Sequence, residues 1–211
     1  MKLRILVTAG PTREKIDPVR FISNYSTGSF GYAIAKEASL RGHKVTLVSG
    51  PVSLKAPSGV RFLSVESAEE MRRAVTKHIA SADCLIMAAA VSDWRPILTA
   101  KSKIKRSSRK NILRLKENTD ILKTIGKRTD KILVGFALET ENVEQNARKK
   151  LKEKKLDLIV ANKLTGDKKI FGENKTSVVM IDKSGTKEAF KNKSKEEMAK
   201  IILDKVSALN I

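Results

Sequence analysis

The sequence predicts an α/β protein with a Rossmann-like three-layer fold: a mostly parallel sheet with helices on both faces and a small antiparallel appendage near the C-terminus. Three observations carry this. Apolar, β-branched segments such as Met1 to Ala9 and Asp83 to Ala88 alternate with stretches whose apolar residues recur at helical spacing. A small-polar turn ending in glycine, Ser26-Thr27-Gly28, stands where an opening strand hands over to a helix. After Asn162 the helical spacing gives way to strict alternation.

Taken in order, Met1 to Ala9 reads as the first strand, stopped by Gly10-Pro11-Thr12. A helix is expected from about Thr27, because Phe30, Ala33, Ile34, Ala38 and Leu40 share one face while Lys36, Glu37 and Arg41 interleave. His43 to Ser49 reads as a second strand, closed by Gly50-Pro51, and Val60 to Val65 as a third. Ser67 with Glu70 forms a capping-box pattern, opening a helix with Met71, Val75 and Ile79 on one face. The strand around Cys84 follows. A second cycle has a helix opening near Asn118-Thr119-Asp120, a strand from Lys131 to Ala137, a helix from about Asn142 to Lys154 and a strand from Leu156 to Ala161.

This alternation predicts five or six parallel strands, with ligands at their carboxyl ends, where the loops after Ala9 and Ala90 meet. The appendage, about 163–192, pairs Thr176 to Asp182 with Thr186 to Phe190 across Lys183-Ser184-Gly185. The last helix has its own capping box, Ser194 with Glu197, and buries Met198, Ile201, Ile202, Val206 and Leu209. One domain, 1–211, accounts for the chain, since 211 residues can bury a single sizeable core.

Composition narrows the function. No run reaches the roughly 18 to 20 apolar residues of a membrane helix, and the N-terminus reads as a strand, so a soluble cytoplasmic protein with no membrane partner is expected. A single cysteine, Cys84, excludes a disulfide framework and a cysteine-based metal site; in its apolar strand it reads as a small core residue. The net charge of +20, from 43 Lys and Arg against 23 Asp and Glu, points to anionic ligands. Aromatic scarcity and the spread of lysines over Lys101 to Lys110, Lys149 to Lys155 and Lys187 to Lys200 argue against specific nucleic-acid recognition.

Several loops can carry chemistry. The unpaired amides of a helix opening at Ser26-Thr27-Gly28 suit an anion, and a cap site there is compatible with a phosphate site. A nicotinamide fingerprint is absent, because Gly10-Pro11-Thr12 replaces Gly-x-Gly-x-x-Gly after the first strand. Ala88-Ala89-Ala90 ends a strand in small residues, and Asp93 follows with a carboxylate that can select hydroxyls, bind a cation or cap the turn. The stretch Lys101 to Lys110 reads as a mobile basic loop able to close over phosphates, or as solvated surface. Lys150 and Lys154, four apart, share a helix face. Phe136 packs in the core or stacks on a base.

Together, Ala9-Gly10-Pro11-Thr12-Arg13-Glu14, Ile16 to Asn24, Ala88 to Asp93, Lys103-Ile104-Lys105, Gly135 to Thr140 and Leu156 to Asn162 closely resemble phosphopantothenoylcysteine synthetase over nearly the whole chain. The resemblance implies a ligase that joins 4'-phosphopantothenate to L-cysteine in coenzyme A biosynthesis. CTP is the co-substrate, a 4'-phosphopantothenoyl-cytidylate is the intermediate, and CMP and pyrophosphate are released. A divalent ion such as Mg²⁺ assists, with its ligands left unassigned, and no flavin takes part.

Residue by residue, the resemblance makes Asn24 and Lys103 catalytic, Asn24 on the acyl phosphate and Lys103 on the phosphates. Gly10, Ser26, Gly28, Gly31, Ala88, Ala89, Asp93, Lys103, Thr119, Asp120, Ile121, Leu122, Phe136, Lys150 and Lys154 would form the nucleotide site. Arg20, Asn24, Ala89, Ala90 and Asp93 would meet phosphopantothenate. Arg20 resembles an arginine donated by a neighbouring protomer, implying a homodimer with the appendage at its interface. A separate phosphopantothenoylcysteine decarboxylase would supply the partner step. Departures are Thr27 in place of a second serine, Ser29-Phe30 in place of a basic-apolar pair, and Thr119 in place of proline. The alternative, a nicotinamide-dependent oxidoreductase, rests on the strand–helix alternation alone.

Overall fold

The computed structural model describes residues 1–106, 112–126, 130–163 and 175–209. The end of the basic stretch, from Ser107 to Lys110, and the head of the expected appendage, 164–174, lie outside the described residues.

The first half of the chain runs β1 (Arg4–Ala9), β2 (Arg13–Lys15), β3 (Phe21–Ser23), α1 (Ser29–Leu40), β4 (Lys44–Ser49), β5 (Val60–Ser64), α2 (Ala68–Ile79), β6 (Cys84–Met87) and β7 (Trp94–Pro96). The second runs β8 (Leu115–Glu117), α3 (Ile121–Ile125), β9 (Ile132–Glu139), α4 (Val143–Glu153), β10 (Leu158–Lys163), β11 (Lys175–Asp182), β12 (Lys187–Ser194) and α5 (Lys195–Ala208). The main sheet has eight strands in the order β12-β11-β10-β9-β6-β1-β4-β5. Six of them, β10 to β5 in that order, pair in parallel.

Both faces of the central strands are covered, so Ile5, Leu6, Val7, Leu85, Ile86, Leu133 and Val134 are all buried. One core packs α1 and α5 against Val7, Ile86, Val134 and Val160; the other packs α2, α3 and α4 against Leu6, Leu85, Leu133 and Ile159. A residue's face follows from the strand's two-residue alternation. The chain leaves β1 toward β4 and β5 on one side and returns through α2 to β6 on the other. Its direction of winding reverses between β1 and β6, which opens a crevice at their carboxyl ends.

The structure corrects the sequence reading at several points. The expected antiparallel pair is present and joins the main sheet, β11 pairing along β10 from Leu158↔Asp182 to Asn162↔Val178. β12 runs to Ser194, well past Phe190, because its pairing with β11 continues across an irregularity between Thr176 and Val178. Its lysines had hidden the alternation. The Ser67 cap is half a box: Ser67 Oγ accepts from the Glu70 amide, but the Glu70 carboxylate accepts from the Glu66 amide at 2.9 Å, one residue earlier than expected. Two small hairpins, β2–β3 and β7–β8, went unread; with three residues to a strand they offer too little alternation to detect.

Candidate functional site

The crevice opens into a cavity of about 1010 Å³ at the carboxyl ends of β6, β9 and β10. Its floor is tied together by the backbone. Pro11 bridges Ala90, the Ala90 amide donates to the Gly10 carbonyl at 2.9 Å, and the Thr12 amide donates to the Ala90 carbonyl at 3.2 Å. The Ala89 amide donates to Thr8 Oγ1 and the Ser92 amide to the enclosed Thr12 hydroxyl. Small side chains are needed here because the loops after β1 and β6 approach to hydrogen-bonding distance. Ala88, Ala89 and Ala90 line the cavity.

One wall is the segment between β3 and α1. Asn24 lines it, and its Nδ2 donates to the Ala90 carbonyl at 3.1 Å. Ser26 and Gly28 follow. Helix α1 starts at Ser29, later than the periodicity implied, with Gly28 as its N-cap at φ 75° and no side-chain cap bond. Ser26 Oγ accepts from the Gly28 amide at 3.3 Å, so the hydroxyl stabilises the turn ahead of the helix instead of capping it. A left-handed N-cap with no side chain leaves the first turn of the helix open toward the cavity.

The opposite wall is built from β9, α3 and α4. Phe136 lines it half-buried, its ring set edge-on to Phe30 of α1 with centroids 4.9 Å apart. Thr119, Asp120, Ile121 and Leu122 form the turn into α3, where Asp120 Oδ1 caps the helix by accepting from the Lys123 amide at 2.9 Å. The other Asp120 oxygen pairs with Lys154 Nζ at 2.9 Å, and Lys150 Nζ pairs with Glu139 at 2.6 Å. Both lysines line the cavity, each oriented by an acid. The exposed Asp93 sits at the rim, its backbone carbonyl accepting from the Asn118 amide at 2.7 Å.

Four residues singled out from the sequence do not line the cavity. Gly31 is pressed against the sheet: a Cβ there would fall 2.6 Å from Ala9 Cβ and 2.8 Å from the Thr8 carbonyl oxygen. It lets α1 lie close on β1 and so sets where the helix begins. Gly10 lies directly behind Gly28. Arg20 bonds within its own chain, Nε donating to Asp17 Oδ2 at 3.0 Å and Nη2 to the Ile104 carbonyl at 2.8 Å. Asp17 is enclosed, and the Arg20 guanidinium holds its carboxyl far below the usual range. Lys103 is exposed, and the backbone amide of its neighbour Ile104 donates a hydrogen bond to Asp17 Oδ2 at 3.1 Å.

The structure also brings in residues that sequence reasoning missed. Asn118 braces the rim, its Nδ2 donating to the Ser92 carbonyl at 2.8 Å. Lys195 reaches the cavity from the start of α5, with Nζ 2.7 Å from Ser29 Oγ. The signal for Asn118 was its place before Asp120; Lys195 had none, being 166 residues from its partner. Cys84 is fully buried in β6, and burial pushes its thiol pKa up, so it is no nucleophile. Among the described residues the cavity therefore presents amides, amide side chains and lysines but no activated nucleophile, an arrangement suited to holding anionic substrates that react with one another. No helix among the described residues is long and apolar enough to cross a membrane.

Comparison with known proteins agrees with this geometry. The chain is 45% identical over 208 residues to the coenzyme A biosynthesis bifunctional protein CoaBC of Bacillus subtilis, covering 98% of this chain and 51% of that protein. It is 44% identical over 209 residues to a cysteine/cysteine sulfinic acid decarboxylase of an unknown prokaryotic organism, covering 98% of this chain and 58% of that protein. The chain thus spans about half the length of these curated relatives. The crystal structure of the C-terminal domain of a CoaBC protein superposes with a TM-score of 0.84 at 42% identity, covering 98% of this chain and 95% of that one. The family model described as the DNA/pantothenate metabolism flavoprotein C-terminal domain matches residues 1–209, and the chain belongs to that family.

Proposed function

We propose that this protein is a phosphopantothenate–cysteine ligase that uses CTP: it activates the carboxylate of 4'-phosphopantothenate as an acyl-cytidylate and transfers the acyl group to the amine of L-cysteine. The observation that carries the reading is the meeting, in one cavity, of Asn24 on the Ala90 carbonyl with the Asp120–Lys154 pair and Phe136 on the facing wall. Its volume, about 1010 Å³, lies at the top of the range for small-molecule sites and suits two substrates side by side.

In the first step a carboxylate oxygen attacks the α-phosphorus and the bond to the β-phosphate oxygen breaks, its electron pair leaving with pyrophosphate. In the second the cysteine nitrogen attacks the acyl carbon, the acyl–oxygen bond breaks, CMP departs and the amine loses a proton. Asn24, held at the junction of the walls, orients the acyl phosphate. Phe136, the turn from Thr119 to Leu122, Lys150 and Lys154 hold the nucleotide, and the open start of α1 holds its phosphates. Lys103 joins them from its exposed loop.

No cluster of three potential ligands occurs among the described residues, so Mg²⁺ fits as an ion carried by the nucleotide phosphates with the exposed Asp93 at hand. It would neutralise phosphate charge. The chemistry exchanges no electrons, so flavin has no part in it, and nothing in the family match supports a nicotinamide-dependent oxidoreductase.

A cytoplasmic homodimer completes the reading. Val19, Phe21, Trp94 and Leu98 are exposed on or beside the adjacent hairpins β2–β3 and β7–β8, an apolar surface that a second copy would cover. The β12 edge carries Lys187, Lys191 and Lys193, of which Lys187 pairs with Glu144 and Lys193 with Glu197, and the appendage stays part of the proposed interface. The decarboxylation that follows falls to a separate protein or domain.

The test is a coupled assay of pyrophosphate release. Release is expected with CTP and phosphopantothenate together, and phosphopantothenoylcysteine once cysteine is added; no release with any nucleotide overturns the reading.

A further inference from the structure

We infer that Asn118 is a positioning residue for the nucleotide, holding the backbone on both sides of Asp93 so that its carboxylate faces the same ligand as the turn from Thr119 to Leu122; the inference rests on the ligase reading above. Asn118 is half-buried between β8 and that turn, and it lines the cavity together with Ser92 and Asp93. Its backbone amide donates to the Asp93 carbonyl at 2.7 Å, and its side-chain Nδ2 donates to the Ser92 carbonyl at 2.8 Å. These two carbonyls belong to the two peptide planes that flank the Asp93 Cα. Peptide groups are rigid, so holding both planes restricts φ and ψ of Asp93 and with them the direction in which its side chain leaves the backbone. Asp93 is exposed, so packing does little to aim its carboxylate.

The choice of asparagine follows from a second contact. Arg95 Nη1 donates to Asn118 Oδ1. One end of the amide thus meets a guanidinium, which can only donate, and the other meets a carbonyl, which can only accept. Aspartate would keep the Arg95 bond and repel the Ser92 carbonyl, and alanine would lose both contacts. The hairpin itself does not need this side chain, because β7 and β8 pair from Trp94↔Glu117 to Pro96↔Leu115 and the Ile97 amide donates to the Arg114 carbonyl at 3.0 Å. What the side chain adds is the hold on Ser92, whose own amide donates to the Thr12 hydroxyl at 2.9 Å on the other side.

From Asn118 the chain runs directly into the turn where Asp120 caps α3 and pairs with Lys154. A nucleotide between Asp93 and that turn meets two surfaces whose relative placement one residue sets. Displacing one of them costs affinity even though every group that touches the ligand is still present.

The experiment compares Asn118→Ala, Asn118→Asp, Asp93→Asn and the double variant Asn118→Ala with Asp93→Asn against the wild-type chain. Calorimetry reads the CTP Kd, steady-state kinetics the cysteine KM, and urea unfolding the stability. Loss of a hydrogen bond from a charged group predicts that Asn118→Ala and Asp93→Asn each raise the CTP Kd about ten-fold, with the cysteine KM unchanged. Because Asn118 acts through Asp93, the double variant should bind CTP as Asp93→Asn alone does. Asn118→Asp should bind as weakly as Asn118→Ala although it keeps the Arg95 bond. Additive losses in the double variant overturn the proposal, as do an unchanged CTP Kd in Asn118→Ala or wild-type affinity in Asn118→Asp. A parallel loss of CTP affinity, cysteine KM and urea stability would mark a purely structural residue and overturn it as well. Should Asn118→Ala fail to fold, Asn118→Asp, alone and combined with Asp93→Asn, decides by the same readouts. A wild-type chain that binds CTP but forms no product would sink the ligase reading and leave the Asn118 comparison standing.

Discussion

Gly31→Ala is the sharpest test of how the fold sets the site. The change adds one methyl group in the first turn of α1, where alanine is favoured over glycine by about 1 kcal/mol on propensity alone. Opposing it, the new Cβ would stand 2.6 Å from Ala9 Cβ, 2.8 Å from the Thr8 carbonyl oxygen and 3.1 Å from Ala9 Cα. Two of these three are backbone atoms of a central strand, so no rotamer change relieves the overlap. Restoring an ordinary 3.4 Å contact from 2.6 Å requires α1 to retreat by about 0.8 Å. Overpacking of this kind costs roughly 1–3 kcal/mol, and the strand backbone places it toward the upper end. The net expectation is a loss of about 1–2 kcal/mol after the propensity gain. For a chain of this size that lowers Tm by roughly 2–8 °C.

Urea and thermal unfolding followed by circular dichroism measure the loss. Steady-state kinetics should show the CTP KM rising more than the cysteine KM, because the retreating helix carries Gly28 and Ser29 with it. A Gly31→Ala protein as stable as the wild type, with an unchanged CTP KM, would refute the argument that this glycine sets the seat of α1.

Asn24→Asp should still release pyrophosphate in a single turnover but accumulate acyl-cytidylate, with overall turnover down at least ten-fold, since a carboxylate replaces the donor on the Ala90 carbonyl and meets the acyl phosphate with like charge. Mass spectrometry of quenched reactions detects the intermediate, and unchanged turnover counts against the role. Cys84, buried in β6 with a raised pKa, should resist a disulfide reagent at pH 8 in the native state and react once in urea; fast native labelling would contradict its burial. Glu69, hydrogen-bonded by Arg72 and Arg73, has its pKa lowered to about 2. A depressed carboxylate stabilises the fold above its unfolded pKa, and that contribution is lost as pH falls from about 4.5 toward 2. Solvent screening at this exposed site limits it to roughly 1 kcal/mol or less. Glu69→Gln should therefore be less stable than wild type at pH 7, with the two urea curves converging near pH 2; parallel curves would deny the linkage.

Local signals made most of the architecture legible. Apolar runs buried on two faces announced β1, β6 and β9, helical spacing announced α1, α2 and α4, and the Ser194–Glu197 box marked the start of α5. The short hairpins escaped because three residues cannot establish a period, and β12 was cut short because its partner, not its own pattern, holds Lys191 and Lys193 in the sheet.

The amino-acid order by itself determined the layered α/β class, the location of the crevice at the strand ends, and the identity of the residues facing it at Asn24, Ala89, Asp120 and Phe136. The class and the crevice follow from periodicity, caps and loop residues, all encoded within a few positions of one another, whereas Asn24 and Asp120 were marked by the family resemblance. Tertiary structure alone decided that Gly31 serves packing, that Arg20 is engaged by Asp17 and Ile104, and that Lys195 stands at the mouth of α1. Each of these depends on contacts between segments distant in the chain or on the close seating of a helix against a strand. Sequence spacing carries no record of distances across a folded core.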